Sequence, residues 1–140
     1  YTKPSTEKRF YILDLLQKKL LLSTYVAHGR GSGDNYAVAF SNRPGSYQSS
    51  LGFFHTGDTY MGKNGYSLFL DGLEKGINDK ARERAIVVHG ANYADPAVLK
   101  GQQRLGRSLG CPALPPDISK QVIDTIKGGV LLYIYGLNKA

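Results

Sequence analysis

Glycine interrupts this chain too often for long helices to form. The 140 residues include 17 glycines and 6 prolines, which leave only short apolar segments between them. A glycine inside a helix costs about 1 kcal/mol relative to alanine, and a proline costs about 3 kcal/mol. Short strands joined by turns are therefore favoured, and the sequence predicts a mostly β fold.

The apolar segments mark the expected strands. Phe10–Leu16 and Leu20–Ala27 flank a short polar stretch at 17–19, which predicts a hairpin. Ala85–Val88 is a continuous apolar run, typical of a buried strand, and it leads directly to His89. The His55–Asp58 segment is expected to end a strand and turn. Further strands are predicted at Tyr36–Phe40, Leu51–His55, Tyr66–Leu70 and Val130–Tyr135.

One segment near the end of the chain has helical periodicity instead. Four apolar side chains fall on one face when spaced along a helix, and Asp117 can cap its start. Lys127 followed by two glycines is a plausible stop. A second, short helical turn is predicted over Asn78–Glu83. The apolar positions are Ile118, Val122, Ile123 and Ile126.

Composition places the chain among folded proteins with one core. Hydrophobic residues make up 41% and charged residues 21%, and no repeat or linker divides residues 1–140, so we predict a single domain and a monomer. The apolar runs are far shorter than the about 20 residues that span a bilayer, so no membrane segment is expected. The net charge of +7 attracts polyanions, but the basic residues form no dense run and no RNA-binding motif is present. Nucleic acid is therefore not an expected partner.

Cys111 is the only cysteine, which excludes an internal disulfide. It lies between Gly110 and Pro112 in an irregular stretch, GQQRLGRSLGCPALPP, at residues 101–116. Glycine permits unusual backbone angles and leaves N–H groups uncovered, so this turn can present a thiol and aim amide donors at a developing oxyanion. The alternative is a buried cysteine that only fills the core.

A thiol needs a neighbouring base or cation, because its ordinary pKa of about 8.5 leaves little thiolate at neutral pH. Three histidines are available: His28, His55 and His89. His89 is the best placed, since it ends a buried strand and precedes Gly90, whose carbonyl can orient the imidazole. A cysteine and a histidine on distant segments are the usual pattern of a thiol nucleophile. Cys111 and His89 are therefore the candidate catalytic pair.

The segments around this pair resemble the catalytic domain of the murein L,D-transpeptidases. Residues 86–90 read IVVHG and residues 106–112 read GRSLGCP. These are similar to the His-Gly pair of that family and to the branch with Ser-X-Gly-Cys-Pro. The resemblance extends from about Arg9 to Tyr135. Other similar stretches lie at residues 26–33, 40–42, 49–52 and 65–68.

The resemblance implies an L,D-transpeptidase-like β-sandwich or barrel with one or two short helices. It implies that Cys111 is the nucleophile and His89 the base, that the Gly90 carbonyl orients the imidazole, and that Ser108 supports the loop or the histidine. The amides of Gly110 and Cys111 would form the oxyanion hole.

Two departures from the broad family concern substrate contacts. Leu109 stands where a histidine is common, and Pro112-Ala113 replaces a hydrophobic residue and an arginine. Arg107 or Arg104 could take over the contacts of that arginine and hold a substrate carboxylate.

The function implied is acyl transfer on peptidoglycan stem peptides, which serve as donor and acceptor, through a thioester and without a metal or organic cofactor. The expected location is the periplasm or the cell envelope. Two alternatives stay open: an L,D-carboxypeptidase or hydrolase of the same bonds, and a non-catalytic wall-binding module. A measurement of thiol reactivity as a function of pH would distinguish the wall-binding module from the two enzymes.

Two other interpretations are disfavoured by spacing. His28 is followed by GRGSG, but no Lys-Ser or Lys-Thr ends that stretch as in a phosphate loop, so local packing of His28 is expected. No two histidines lie within five residues and no HExxH occurs, which disfavours a zinc site.

Overall fold

Seven strands and one α-helix are found within residues 1–139, the part of the chain that the computed structural model describes. The mostly β prediction with one or two short helices is confirmed. Three short 3₁₀ helices, at Arg30–Ser32, Asn92–Ala94 and Pro96–Lys100, were not foreseen. The elements are β1 Phe10–Asp14, β2 Lys19–Thr24, β3 Gly52–Gly62, β4 Gly65–Gly72, β5 Val87–Gly90, β6 Ala113–Leu114, α1 Pro116–Ile126 and β7 Leu131–Ile134.

The predicted hairpin is present as a two-stranded antiparallel sheet of β1 and β2, which pairs Phe10 with Thr24 at one end and Asp14 with Lys19 at the other. Its turn begins earlier than the polar stretch suggested. The Asp14 carboxylate accepts hydrogen bonds from the N–H groups of Leu16 and Gln17 at 3.1 Å, and this side chain starts the turn.

The remaining strands form a five-stranded sheet in the order β6-β5-β4-β3-β7. Strand β5 runs antiparallel to β4 and parallel to the short strand β6. The β5–β6 pairing sets His89 beside Ala113, which follows Cys111 by two residues. This sheet therefore brings the two segments of the candidate pair together.

The core lies between the large sheet and α1, which packs against β5 and β4. Phe54, Leu68 and Leu70 are fully buried on the sheet, and full burial of such side chains contributes about 1.5–3 kcal/mol each. The predicted helix face is confirmed, since Val122, Ile123 and Ile126 are buried and Ile118 packs against the same core.

The start of the helix differs from the prediction. Pro115 is the N-cap, no side chain caps the helix, and Asp117 lies in the first turn. A proline at the first helical position is stable there, because its missing N–H would have had no partner. The acidic Asp117 still favours the helix through the dipole of its N-terminus. Lys127 and the two glycines after it end the helix as expected.

Three other local predictions are wrong. Residues 36–40 form no strand; the Val38 N–H donates to the Ser32 carbonyl at the end of a 3₁₀ helix, and the Phe40 N–H donates to the Asn138 side chain. Residues 78–83 form hydrogen-bonded turns and no helix. Residues 55–58 continue β3 through a bulge between Thr56 and Thr59, because β3 and β4 pair on both sides of it.

Among residues 1–139, no helix is both long enough and apolar enough to cross a lipid bilayer.

Candidate active site

The loop that carries Cys111 is held by the side chain of Ser108. The Ser108 hydroxyl donates to the Cys111 carbonyl at 2.6 Å and accepts from the Gly110 N–H at 3.1 Å. The Ser108 backbone bonds to its neighbour segment on both sides, donating to the His28 carbonyl at 3.0 Å and accepting from the Arg30 N–H at 2.8 Å. These bonds fold residues 108–111 into one tight turn.

Gly110 cannot be replaced without strain in this turn. Its φ of +127° lies in the region that L side chains rarely adopt, and a Cβ there would lie 2.9 Å from Cδ1 of Ile86. Glycine therefore lets the loop pack directly on the segment that leads into β5.

The thiol of Cys111 rests against the backbone just before and within β5. The sulfur lies 3.4 Å from the Val87 nitrogen, which donates to it, and 3.5 Å from the Ala85 carbonyl oxygen, to which the thiol donates. Cys111 is only 9% exposed. Burial raises the pKa of the Cys111 thiol, while the Val87 N–H and the charge of Arg84 act in the opposite direction.

Ala85 presents its carbonyl to the thiol from an unusual conformation. Its φ of +57° is left-handed, which costs a non-glycine residue about 1 kcal/mol or more. Strain of this kind persists only where neighbouring contacts impose it. Here the turn that ends at Ala85 is closed by hydrogen bonds from the N–H groups of Arg84 and Ile86 to residues 80 and 81.

His89 lies near the end of β5, one residue before the last residue of the strand, and is 4% exposed. Its Nδ1 lies 2.9 Å from the carbonyl oxygen of Gly90. A carbonyl oxygen only accepts, so Nδ1 carries the proton and Nε2 keeps the lone pair. The imidazole is thus held in the tautomer in which Nε2 can accept a proton.

The segment that carries the thiol lies beside the strand that carries the imidazole. His89 pairs with Ala113 across β5 and β6, and the His89 N–H donates to the Pro112 carbonyl at 3.4 Å. Within residues 1–139, the hydrogen-bonding neighbours of the sulfur are Val87 and Ala85, and His89 is not among them. The two groups are neighbours without a mutual hydrogen bond.

A cavity of about 460 Å³ opens at His89 and Gly90. Cys111 is not part of its lining. Burial raises the pKa of the Tyr93 phenol to about 12, so this lining side chain is a neutral hydrogen-bond donor and acceptor at physiological pH. The other lining residues come from the β3–β4 turn, from the start of β4, from residues 91–92 and from the start of α1: Lys63, Asn64, Tyr66, Ala91, Asn92, Pro116 and Ser119.

The two backbone amides that the family resemblance assigns to an oxyanion hole differ in whether they already donate a hydrogen bond. The Gly110 N–H is engaged by the Ser108 hydroxyl. The Cys111 N–H donates to no acceptor within residues 1–139. Only the Cys111 amide is thus free to bind an oxyanion without displacing another partner.

Arg104 and Arg107 lie together but not at the His89 cavity. Arg107 donates to a carboxylate oxygen of Asp34 at 3.1 Å, and Arg104 Nε lies 3.9 Å from the same oxygen. Asp34 is 82% exposed, and an ion pair of this kind contributes about 1 kcal/mol or less.

His28 packs and hydrogen-bonds locally, as expected. It is 1% exposed, its Nδ1 lies 2.8 Å from Nη2 of Arg9, and its Nε2 lies 3.2 Å from the Gly33 carbonyl. Since Arg9 can only donate, Nδ1 accepts and Nε2 carries the proton. Burial, with the positive charge of Arg9 adding to it, lowers the pKa of His28 to about 4. His28 is therefore a neutral structural residue.

A second concavity of about 520 Å³ lies between the β1–β2 hairpin and β7 and contains neither His89 nor Cys111. Its walls are mostly apolar side chains with no cluster of catalytic groups. Among residues 1–139, no group of three or more His, Cys, Asp or Glu side chains is arranged to hold a metal ion.

Several site residues carry no signal in the sequence. Arg84, Ala85 and Val87 surround the thiol, yet the string ARERAIVVHG offers no way to tell which of its basic residues faces inward. Tyr93 and Lys63 line the cavity from loops with no periodic pattern. The positions of these side chains depend on contacts between residues that are far apart in the sequence.

Comparison with known proteins gives a family. The family model described as the L,D-transpeptidase catalytic domain matches residues 1–135. No curated protein matches the chain.

Three solved structures are among those that match the chain. An L,D-transpeptidase from Mycobacterium smegmatis has 13% identity, covers 84% of this chain and gives a TM-score of 0.49. The LD transpeptidase LdtMt1 in complex with imipenem has 15% identity, covers 84% of this chain and gives a TM-score of 0.48. The Ldtfm-avibactam carbamoyl enzyme has 16% identity, covers 85% of this chain and gives a TM-score of 0.45. The match spans 50% of the length of each of the first two proteins and 42% of the length of the third.

Proposed function

Since this chain belongs to the L,D-transpeptidase catalytic domain family, we propose that it is a cysteine-dependent L,D-transpeptidase that acts on peptidoglycan stem peptides through a thioester at Cys111. The observation that carries the proposal is the state of His89. Its Nδ1 is fixed by the Gly90 carbonyl, and the residue lines a cavity large enough for part of a peptide. The imidazole is thus prepared to move a proton at Nε2 beside the cysteine loop.

The proposed first step transfers the thiol proton to His89. The sulfur must first leave its contacts with Ala85 and Val87 and turn toward the imidazole, because no hydrogen bond joins the two groups in the resting arrangement. The thiolate then attacks the carbonyl carbon of the L-centre in an L,D peptide bond. A carbon–sulfur bond forms, the carbon–nitrogen bond breaks, and His89 gives its proton to the departing amine of the D-amino acid.

In the proposed second step, an amine of a neighbouring stem peptide attacks the thioester. His89 accepts the proton of that amine, the new amide bond forms, and the carbon–sulfur bond breaks; the sulfur leaves as a thiolate that takes the proton back from His89. An amine held in place acts with an effective molarity of up to about 10⁵ M or more, which exceeds the concentration of water. Acceptor binding therefore decides between transfer and hydrolysis.

The oxyanion formed in both steps would be held mainly by the Cys111 N–H. That amide is the free donor within residues 1–139, whereas the Gly110 amide would have to exchange its bond with Ser108. A single well-aimed amide is typically worth about 10²–10³ in rate. Ser108 would keep the loop in the shape that aims this amide.

Two sets of side chains are proposed to bind substrate. Lys63 and Tyr93 line the His89 cavity and offer a cation and a neutral hydroxyl to the donor peptide. Arg107 and Arg104 lie outside the cavity, and we propose that they anchor an acceptor carboxylate. That role requires the carboxylate to replace Asp34, a weak exposed partner.

The proposed partner and location follow from the reaction. Peptidoglycan lies outside the cytoplasmic membrane, so the domain would work in the periplasm or the cell envelope, without a metal or organic cofactor, as a single-domain monomer. The net charge of +7 favours contact with an anionic wall.

The test is the product pattern from purified muropeptides. The wild-type domain is incubated with tetrapeptide monomers, and cross-linked dimer and shortened monomer are quantified by mass spectrometry. Dimer formation that disappears in Cys111→Ala, with an unchanged melting temperature, supports the proposal. Shortened monomer alone, with acceptor in excess, would assign the carboxypeptidase activity instead. Full activity of Cys111→Ala would remove Cys111 from the mechanism.

Arg107→Ala tests the acceptor site in the same experiment. It should lower the dimer yield more than the release of the terminal D-amino acid, because water still resolves the thioester. Asp34→Ala is the matched control, since it frees the same arginine and should leave the dimer yield equal or higher. Equal loss of both products in Arg107→Ala would refute the acceptor role.

A further inference from the structure

Arg84 is a cation with an unusual set of partners. Its Nη1 donates to the Ser41 carbonyl at 2.9 Å and to the Ser50 hydroxyl at 2.7 Å. Its Nη2 donates to the Gln48 carbonyl at 2.8 Å and to the Ser46 hydroxyl at 3.2 Å. All four acceptors are neutral, and within residues 1–139 no carboxylate lies within 4.0 Å of this guanidinium.

The guanidinium lies beside the cysteine loop. Nη2 of Arg84 is 3.5 Å from the position that a Cβ on Gly110 would occupy, and the Gln48 carbonyl is 3.1 Å from the same position. The next residue along the chain, Ala85, accepts the hydrogen bond of the thiol. The Arg84 guanidinium and the carbonyl that accepts from the thiol therefore both lie next to the turn at 110–111.

This arrangement holds the positive charge at a fixed place. Four hydrogen bonds occupy both terminal nitrogens, so the guanidinium cannot swing to solvent without losing them. A partly buried cation with only neutral acceptors keeps most of its field uncompensated, and a nearby anion is stabilised by that field.

We propose that Arg84 is the charge-stabilising residue of the Cys111 thiolate, held beside the loop by residues 41–50. This inference rests on the proposed function, in which the buried thiol of Cys111 must become a nucleophile. Burial alone would keep the sulfur protonated, and the two groups that oppose burial are the Val87 N–H and Arg84. The interaction is mutual, because burial lowers the pKa of Arg84 while the cysteine raises it.

The other groups near the sulfur also affect the balance between thiol and thiolate. The Val87 N–H favours the thiolate and the Ala85 carbonyl favours the thiol. Tyr93 and Tyr1 interact with Cys111 but are neutral phenols whose pKa values burial raises. His89 follows Val87 by two residues on β5 and is not among the hydrogen-bonding partners of the sulfur. Arg84 is the permanently charged group in this set.

The test is the pH profile of Cys111 alkylation by iodoacetamide, which requires no turnover. Arg84→Gln should raise the midpoint by about one pH unit or more, and thus lower the rate near pH 7 about tenfold, because it removes a nearby cation. Arg84→Lys keeps a charge and should shift the midpoint less. Arg82→Gln is the matched control: Arg82 lies in the same segment but pairs with Asp71 at the surface, so its midpoint should equal that of the wild type. An unchanged midpoint in Arg84→Gln would overturn the proposal.

A measurement on the unaltered protein covers the case in which Arg84→Gln does not fold. The side-chain nitrogen NMR signals of Arg84 should move with pH at the alkylation midpoint of the wild type and should not move in Cys111→Ser. Signals that stay fixed while the thiol ionises would refute the proposal. Absence of any muropeptide product, with these shifts present, would reject the transpeptidase proposal and leave the Arg84 effect standing.

Discussion

Acidification from pH 7 to pH 5 should destabilise the fold through His28. The imidazole is buried, accepts a hydrogen bond from Arg9 and donates one to Gly33, so it fits only as the neutral form. Protonation would set a second positive charge against Arg9, with Arg107 also nearby. The His28 carbonyl also holds Ser108, so the cysteine loop is tied to this residue.

The sign and size follow from proton linkage. The pKa of His28 falls from 6.5 to about 4 on folding, so between these values the unfolded chain binds more protons and stability falls as pH is lowered. The loss is about 2 kcal/mol between pH 7 and pH 5 and about 3 kcal/mol once the folded state is also protonated. Asp71, Asp79 and Asp124, whose pKa values lie below their ordinary value, stay ionised over most of this range.

The assay is urea unfolding at pH 7 and pH 5, followed by tyrosine fluorescence, for the wild type, His28→Gln and His55→Gln. Glutamine can accept from Arg9 and donate to Gly33 without titrating. The Tyr1 amino group, whose pKa is lowered to about 6, adds to the loss in all three proteins. The wild type and His55→Gln, which loses an exposed imidazole, should each lose about 2 kcal/mol more than His28→Gln. Equal losses in all three proteins, or a His28 imidazole that titrates near its ordinary pKa in NMR, would refute the reasoning.

Three further predictions concern packing around the site. Phe54→Ala should lower the free energy of unfolding by about 3–5 kcal/mol in a urea titration, because Phe54 is fully buried, whereas the half-exposed Tyr133 on β7 should cost much less when replaced. Ser108→Ala removes both hydrogen bonds that shape the cysteine turn and should lower the free energy of unfolding by about 1–3 kcal/mol. Ser119→Ala is the control, because within residues 1–139 its hydroxyl makes only one hydrogen bond, which is exposed. Equal stability of the two variants would contradict the role of Ser108. Gly110→Ala forces a side chain at positive φ onto Ile86 and should lower the melting temperature, while Gly101→Ala, with open space and an ordinary φ, should leave it nearly unchanged.

The elements predicted from sequence are those whose pattern is local. The β1–β2 hairpin, the helix face of Val122 and Ile126, and the buried strand that carries His89 all follow from spacing alone. Residues 36–40 alternate like a strand, but Val38 and Ala39 bond to the nearby Ser32 carbonyl and Phe40 bonds to Asn138, a partner 98 residues away that no local pattern reveals.

The candidate site divides in the same way. Cys111 and His89 could be singled out because their residue types and flanking glycines are informative by themselves. The parallel pairing of β5 with the two-residue strand β6, which brings the two segments together, is too short to be read from sequence. Arg84 looks like any basic residue in a charged turn, and its inward direction depends on acceptors at residues 41–50.

The most direct test of the proposed mechanism is the intact mass of the protein during reaction with a tetrapeptide donor. Rapid acid quenching in the absence of acceptor should trap a species heavier than the free protein by the donor minus its terminal D-amino acid. Peptide mapping should place that adduct on Cys111, and its rate of formation should fall in His89→Ala. No adduct while donor is consumed, or an adduct that persists in Cys111→Ala, would contradict the thioester mechanism.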